Sequence, residues 1–339
     1  KSGGLKMRKP FIGFLVLFLL FSAGCSLLPQ APANQLPLSE QEEDRPQEPQ
    51  GANFRETLFF LPDADWQFLI PVRVYIPWEE GIAKATLRYC VEGQMPAALS
   101  GQGVDPLLPA GTEILGLSIR DGRARVDFSR EFLNYPPEKE RLLLNGITYT
   151  LTEFPTIKEV EILVEGAAVQ FPGGTLTEPL RRELGLNLEV DEAVTDFAET
   201  GRITLFFLYA TGENVYFLPV TRVVAETDDM LQKTVEELLS GPARGKKLFT
   251  AVPGGLALQN IQQEGAKVTL HLSGDFFPEG GQVAADRFWQ QVALTLTEIE
   301  GIEEVSVLIN GQVPVFGPEI DFPASFSRPQ KWNLVSGSG

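Results

Sequence analysis

Histidine is nearly missing from this chain of 339 residues, which holds one, His271. That scarcity excludes His-rich metal sites. It also leaves little room for a serine–histidine–aspartate triad, whose nucleophile needs a base within hydrogen-bond reach. Cysteine is almost as scarce, with Cys25 and Cys90 alone. Positive charge is in deficit: 28 Lys+Arg stand against 45 Asp+Glu, a formal net charge of −17. Such a balance argues against nucleic acid, whose phosphates require Lys and Arg, and against lying flat on anionic lipid. The apolar run from Phe11 to Phe21 falls short of the ~20 residues that span a bilayer as a helix.

That run belongs to an export signal. Lys6, Arg8 and Lys9 precede it, with Met7 as the natural start, and the small residues Ser22, Ala23 and Gly24 lead to Cys25. A basic start, a short apolar core and small residues before a cut site describe a signal peptide, here residues 1–24. A cysteine directly after Ala-Gly resembles the bacterial lipobox, although most lipoboxes have Leu where Ser22 stands. The resemblance implies cleavage before Cys25 and a diacylglycerol on its thiol. Each buried CH₂ contributes ~0.8 kcal/mol, so two acyl chains anchor a protein without a spanning helix. From Cys25 onward the charge is −21, that of an ectodomain held off the membrane. With Cys25 acylated, Cys90 has no partner within the chain, and the fold must rest on packing. Residues 25–53 read as a disordered tether, with Pro29, Pro32, Pro37, Pro46 and Pro49 among Gln, Glu and Asp. Such composition cannot bury enough apolar surface to offset ordering entropy.

The remainder repeats itself. Thr57–Leu61 recurs as Thr204–Leu208, and Phe68-Leu69-Ile70-Pro71-Val72 recurs loosely as Phe217-Leu218-Pro219-Val220. Val126-Asp127-Phe128-Ser129 matches Leu270-His271-Leu272-Ser273. Thr150-Leu151-Thr152-Glu153 returns intact as Thr295-Leu296-Thr297-Glu298, and Glu159–Gly166 returns as Glu304–Gly311. The tails also agree, Asn187-Leu188 with Asn333-Leu334. The order predicts a first domain at 54–190, a linker at 191–202 and a second domain at 203–335, each with a C-terminal tail. Because a similar tail follows the second copy, the stretch 167–202 is expected to wrap back on its own domain.

Every unit reads as β-β-α-β-β-α-β. Thr57–Leu61 and Phe68–Tyr75 are β-rich. Helices are expected at Glu80–Val91 and Asp228–Leu239, the latter stopped by Gly241-Pro242. Asp121-Gly122 marks a hairpin turn between Glu113–Ile119 and Arg123–Phe128. Leu143, Ile147, Leu151 and Phe154 form the apolar stripe of a second helix, mirrored by Phe288, Val292, Leu296 and Ile299. Val160, Ile162 and Val164 alternate with glutamates, so one sheet face is solvated. The fold class is α+β: two tandem copies of a small domain, each a mixed or antiparallel sheet with two helices packed on one face.

Several groups could be drawn as chemistry. Asp127, Ser129 and Glu131 form a carboxylate–serine cluster, with His271, Ser273 and Asp275 in the second copy, but Ser129 reads better as a cap for the next segment. Thr150, Thr152 and Glu153 end a helix, where threonines bond to the preceding turn. Cys90 aligns with Leu238 and reads as a small core residue. Gly101-Gln102-Gly103 lacks the following helix of a dinucleotide site and reads as a flexible loop. Trp66, Trp78 and Trp289 are as plausible in the core as at an interface. No catalytic, cofactor-binding or metal-binding residue is expected.

The TLxFF strand, the Pro-Gly turn, the helix ending in Thr-Leu-Thr-Glu and the Val-rich strand closing on Gly resemble the GerMN domain. Two such domains behind a lipobox resemble the GerM-like sporulation and germination lipoproteins. The resemblance implies a non-enzymatic binding or assembly component of the channel or scaffold between mother cell and forespore. It would be lipid-anchored on the outer face of the mother-cell membrane and bind partner ectodomains. The alternative reading is an envelope lipoprotein that binds a wall polymer or a small ligand.

Overall fold

A computed structural model describes residues 53–335 except 175–177, 183–184, 213 and 277–279. The expected signal peptide, Cys25 and the expected tether up to residue 52 lie outside the described residues.

The first domain opens with a hairpin of β1 (Phe54–Pro62) and β2 (Leu69–Pro77), paired antiparallel along their whole length. The short helix α1 (Ile82–Arg88) follows, then β3 (Ile114–Arg120), β4 (Arg123–Phe128), α2 (Glu140–Thr152), β5 (Glu159–Val164) and β6 (Ala167–Ala168). β3, β4, β5 and β6 form a second sheet in that order, with β4 and β5 parallel. A parallel pair needs a crossover, and α2 supplies it. The tail holds β7 (Glu189–Val190). The second domain repeats the plan with β8 (Thr200–Thr211), β9 (Asn214–Ala225), α3 (Met230–Ser240), β10 (Leu248–Phe249), β11 (Ala257–Glu264), β12 (Lys267–Ser273), α4 (Gly281–Leu296), β13 (Glu304–Ile309) and β14 (Phe326–Ser327). Its sheets run β10-β8-β9-β7 and β11-β12-β13-β14. The fold is therefore α+β in two copies, with the strands of each copy divided between a hairpin sheet and a mixed sheet.

Patterning explains the division. β4 turns Ala124, Val126 and Phe128 inward and leaves Arg123 and Arg125 outside. In β1 the last six residues are all buried, because the hairpin is covered on both faces. The predicted stripe on α2 is buried at Leu143, Ile147 and Leu151, and that on α4 at Phe288, Val292 and Leu296. These side chains and most of those of both hairpins belong to one continuous core, while Phe206, Leu208 and Phe217 pack with Leu294 and Trp332 in a second cluster.

Helix α1 is shorter than the pattern predicted. Gly81 starts it in the left-handed region with no side-chain cap. After Arg88 the chain unwinds, because the carbonyl of Cys90 accepts from Leu107 and Leu108 and Val91 bridges to Leu108. Its counterpart α3 has what α1 lacks: the Asp229 carboxylate accepts from the Gln232 amide, and Gly241 ends it.

The repeated letters of the first strand are one residue out of step with the repeated geometry. Phe60 stands opposite Pro71, and Phe206 stands opposite Pro219. Thr57, read against Thr204, occupies the place of Ile203, since each lies three positions before its proline-facing phenylalanine. A one-residue slip exchanges the two faces of a strand. Both faces of these hairpins are apolar, which is why the slip leaves the sequences looking aligned.

Candidate functional site

The repeat concentrates its polar side chains where the two domains meet. Thr150 of α2 accepts a hydrogen bond from the buried Phe60 amide at 3.0 Å, and Thr295 of α4 accepts from Phe206 at 3.0 Å. Where no further strand runs alongside, a strand buried under a helix leaves N–H groups without a ladder partner, and these hydroxyls satisfy one each. That role was not the expected one; Thr152 behaves as expected, donating to the Thr148 carbonyl at 2.7 Å. Thr152 also accepts from Arg182, whose guanidinium donates to the Tyr149 carbonyl and to Glu153. Arg328 does the same in the second copy, donating to the Leu294 carbonyl, Thr297 and Glu298. A cation on the last turn of a helix satisfies free carbonyls and the helix dipole together.

Beyond these arginines the tails cross over. Up to Arg182 the first tail lies on its own domain, with Leu180 bridged to Val160. The next residues bind the other domain, where β7 pairs in parallel with β9. The second tail does the converse, Leu334 bridging to Arg73 on β2. The stretch read as a linker thus follows a segment already built into the second domain's sheet, and the expectation of wrapping back fails for the first tail beyond Arg182.

At each crossing an asparagine in the left-handed region, Asn187 at φ 49 and Asn333 at φ 52, lies between the hairpins. Asn187 accepts from the Leu69 amide at 2.8 Å and donates to the carbonyls of Leu69 and Pro219, both at 2.9 Å. Asn333 accepts from Phe217 at 2.8 Å and donates to the carbonyls of Phe217 and Pro71 at 2.8 and 2.7 Å. Both amide N–H groups and the oxygen are engaged in each case. Pro71 and Pro219 suit these places because a strand residue whose N–H would point away from its ladder can be proline.

The crossing encloses a cleft of about 370 Å³ between the domains. Phe60, Phe206 and Trp332 supply its apolar wall, and Arg73, Arg182, Arg202 and Arg328 face Glu153 and Glu298 around it. The Arg182 guanidinium lies 4.6 Å from the Tyr149 ring centre, and that of Arg73 lies 5.4 Å from Trp332. Burial, reinforced by Glu298 and opposed by Arg182, pushes the Tyr149 hydroxyl up to about 12. It therefore stays a donor at neutral pH and bonds the Arg182 carbonyl at 3.2 Å. Such a lining can bind and orient; it pairs no nucleophile with a base.

The other nominated residues hold the fold. Ser129 precedes a turn of 3₁₀ helix without capping it; its oxygen accepts from the Glu113 amide instead. Asp127 accepts from the Gly166 amide, and Ser273 from Gln259. Cys90 is fully buried, its thiol pushed up by burial. Gly101–Gly103 is a docked segment rather than a free loop: Tyr216 of the second domain donates to the Gln102 carbonyl at 2.8 Å, and a Cβ on Gly103 would strike Thr211. Trp66 is half-buried with Lys139 4.1 Å above its ring, Trp78 is exposed, and Trp289 packs on Phe326. Sequence reading missed Arg182, Arg328 and Trp332, although the spacing Arg-x₄-Asn recurs at 182–187 and 328–333.

Comparison with known proteins places this architecture. The family model "Germane: Sporulation and spore germination" matches residues 57–170 and 204–314. The spore germination protein GerM of Bacillus subtilis (strain 168) is 30% identical over 281 residues, spanning 79% of this chain and 76% of that protein. The solved structure of the tandem GerMN domains of the Bacillus subtilis sporulation protein GerM superposes with a TM-score of 0.71 at 28% identity, covering 84% of this chain and 100% of that one. With both copies matched in sequence and both reproduced in fold, the chain belongs to the Germane family of sporulation and spore germination proteins.

Proposed function

We propose that this protein is a membrane-anchored sporulation lipoprotein that serves as a binding or assembly component of the channel or scaffold complex between mother cell and forespore. The observation that carries the reading is the family match across both domains in the same tandem arrangement as GerM. Two further features support it. Thr150, Thr295, Ser129, Asp127 and Ser273 are engaged in fastening the fold and the Cys90 thiol is buried, which suits a protein that acts through its surfaces. The edge strands β3 and β11 each have a single ladder neighbour, and free strand edges pair with other chains. A diacylglycerol on Cys25 would hold the acidic two-domain body at the outer face of the mother-cell membrane, in reach of partner ectodomains.

A fluorescent fusion followed through spore formation tests this. Enrichment at the engulfing septum, lost in Cys25→Ala, is the expected result. An even signal around growing cells with no dependence on sporulation would sink it in favour of a general envelope lipoprotein that binds a wall polymer or a small ligand.

A further inference from the structure

The cleft between the domains has a chemistry of its own. In a chain with a net charge of −17, its wall gathers four arginines and two glutamates. Arg182 and Arg328 have evident structural duties at their helix ends. Arg73 is only partly used: its Nη1 donates to Glu56 at 3.0 Å. Arg202 is exposed at the rim.

Two orphan donors sit on residues of this wall. Among the described residues, five buried side-chain polar atoms have no hydrogen-bond partner, and Arg73 Nε and Trp332 Nε1 are two of them. Trp332 is 5% exposed, and its ring lies under the Arg73 guanidinium. Both atoms are shielded from solvent, but the guanidinium of Arg73 reaches the cleft with further N–H groups that can only donate, so a group that answers it must be an acceptor. A buried donor without a partner costs about 1–3 kcal/mol, and native folds seldom leave two side by side without use. The cleft volume lies within the range of small-molecule sites, roughly 300–1,000 Å³. Planar guanidiniums match carboxylate and phosphate oxygens two at a time, and Phe60, Phe206 and Trp332 offer aromatic area beside them.

We propose that the inter-domain cleft binds a small organic anion, a carboxylate or phosphate monoester joined to an apolar or aromatic body. Its oxygens meet the guanidiniums of Arg73 and Arg202, and its body lies against Phe60, Phe206 and the Trp332 ring. Because the wall is drawn from both domains and both tails, such a ligand would also hold the two halves together. The inference stands apart from the sporulation role, since it rests on the cleft alone.

Calorimetric titration of the full chain in detergent tests it, with benzoate, phenyl phosphate, inorganic phosphate and benzyl alcohol as probes. Saturable one-to-one binding of benzoate or phenyl phosphate is expected, and which binds more tightly separates a carboxylate source from a phosphate one. Benzyl alcohol should not bind. Arg73→Gln should weaken the bound probe about tenfold or more, the loss of a charge-assisted bond. Arg125→Gln, on the far solvated face of β4, should change nothing. If Arg73→Gln fails to fold, Arg202→Gln at the exposed rim carries the test and must weaken binding as well. The proposal falls if neither organic anion binds, if inorganic phosphate binds as tightly as phenyl phosphate, or if both arginine variants bind as the native chain does.

Discussion

The two domains share a plan but fasten their crossing tails by different means. On β9 of the second domain, Arg222 is buried beside the arriving first tail. It donates to Glu189 of β7 at 2.8 Å, to Glu237 of α3 at 2.8 Å and to the Gly241 carbonyl at 2.9 Å. Lys233 extends the cluster to Asp191 and Glu237. At the corresponding place on β2 stands Val74, 1% exposed, and the second tail is held there by backbone bonds between Arg73 and residues 333 and 335. A buried ion network and an apolar contact thus perform the same task in one molecule. Buried charges give no general advantage in stability over apolar packing, but they penalise a misplaced partner heavily. The charged crossing is therefore the one that discriminates, and the apolar one tolerates change.

Substitution should break the comparison open at its charged end. Arg222→Ala leaves the buried Glu189 without its cation and Glu237 with Lys233 alone, so a loss of about 3–5 kcal/mol is expected. Val74→Ala removes two methyl groups and should cost roughly 2 kcal/mol. Urea unfolding of both variants measures the gap; equal losses would mean that the network is not the stronger fastening. Asn187→Ala and Asn333→Ala each remove three hydrogen bonds and should cost about 2–3 kcal/mol. Their double variant should lose less than the two losses added, since opening one crossing frees the other. Thr150→Val and Thr295→Val orphan one strand amide apiece, for about 1–2 kcal/mol each, with Ser restoring most of the loss in thermal melts.

The smallest effect lies at alkaline pH. Burial pushes the Tyr149 and Tyr216 hydroxyls up to about 12, and burial together with hydrogen bonding to Asp63 raises Tyr209. A raised folded pKa means that the neutral form is favoured by folding. The contribution is complete below the unfolded value near ~10 and is lost as pH rises toward 12. The melting temperature should fall between those values, and Tyr216→Phe should make that fall shallower; an unchanged slope would remove Tyr216 from the account.

Much of this was legible in the letters. The apolar stripes of α2 and α4 and the alternation in β5 name their buried residues correctly, because local periodicity decides which side faces the core. Contacts between distant segments were not legible. Asn187 and Leu69 are 118 residues apart, and Asn333 and Pro71 are 262 apart; a tail repeated in sequence looks the same whether it binds its own domain or the other. Arg222 in Pro-Val-Thr-Arg-Val-Val gave no sign of burial, since its partners come from β7 and α3. The Thr-Leu-Phe-Phe motif misled by a single residue because apolar faces on both sides of a hairpin erase the evidence of register.

The reciprocal tails also set an order in time. Synthesis delivers the first domain before the second, yet around Pro71 and Arg73 the edge of β2 is covered by Asn333, Leu334 and Val335 of the second tail. The early half must therefore wait, with part of that strand edge open, until the second tail has been made. Maturation becomes a single late event, and a chain stopped short of the second tail is left as an unfinished body that proteases can recognise.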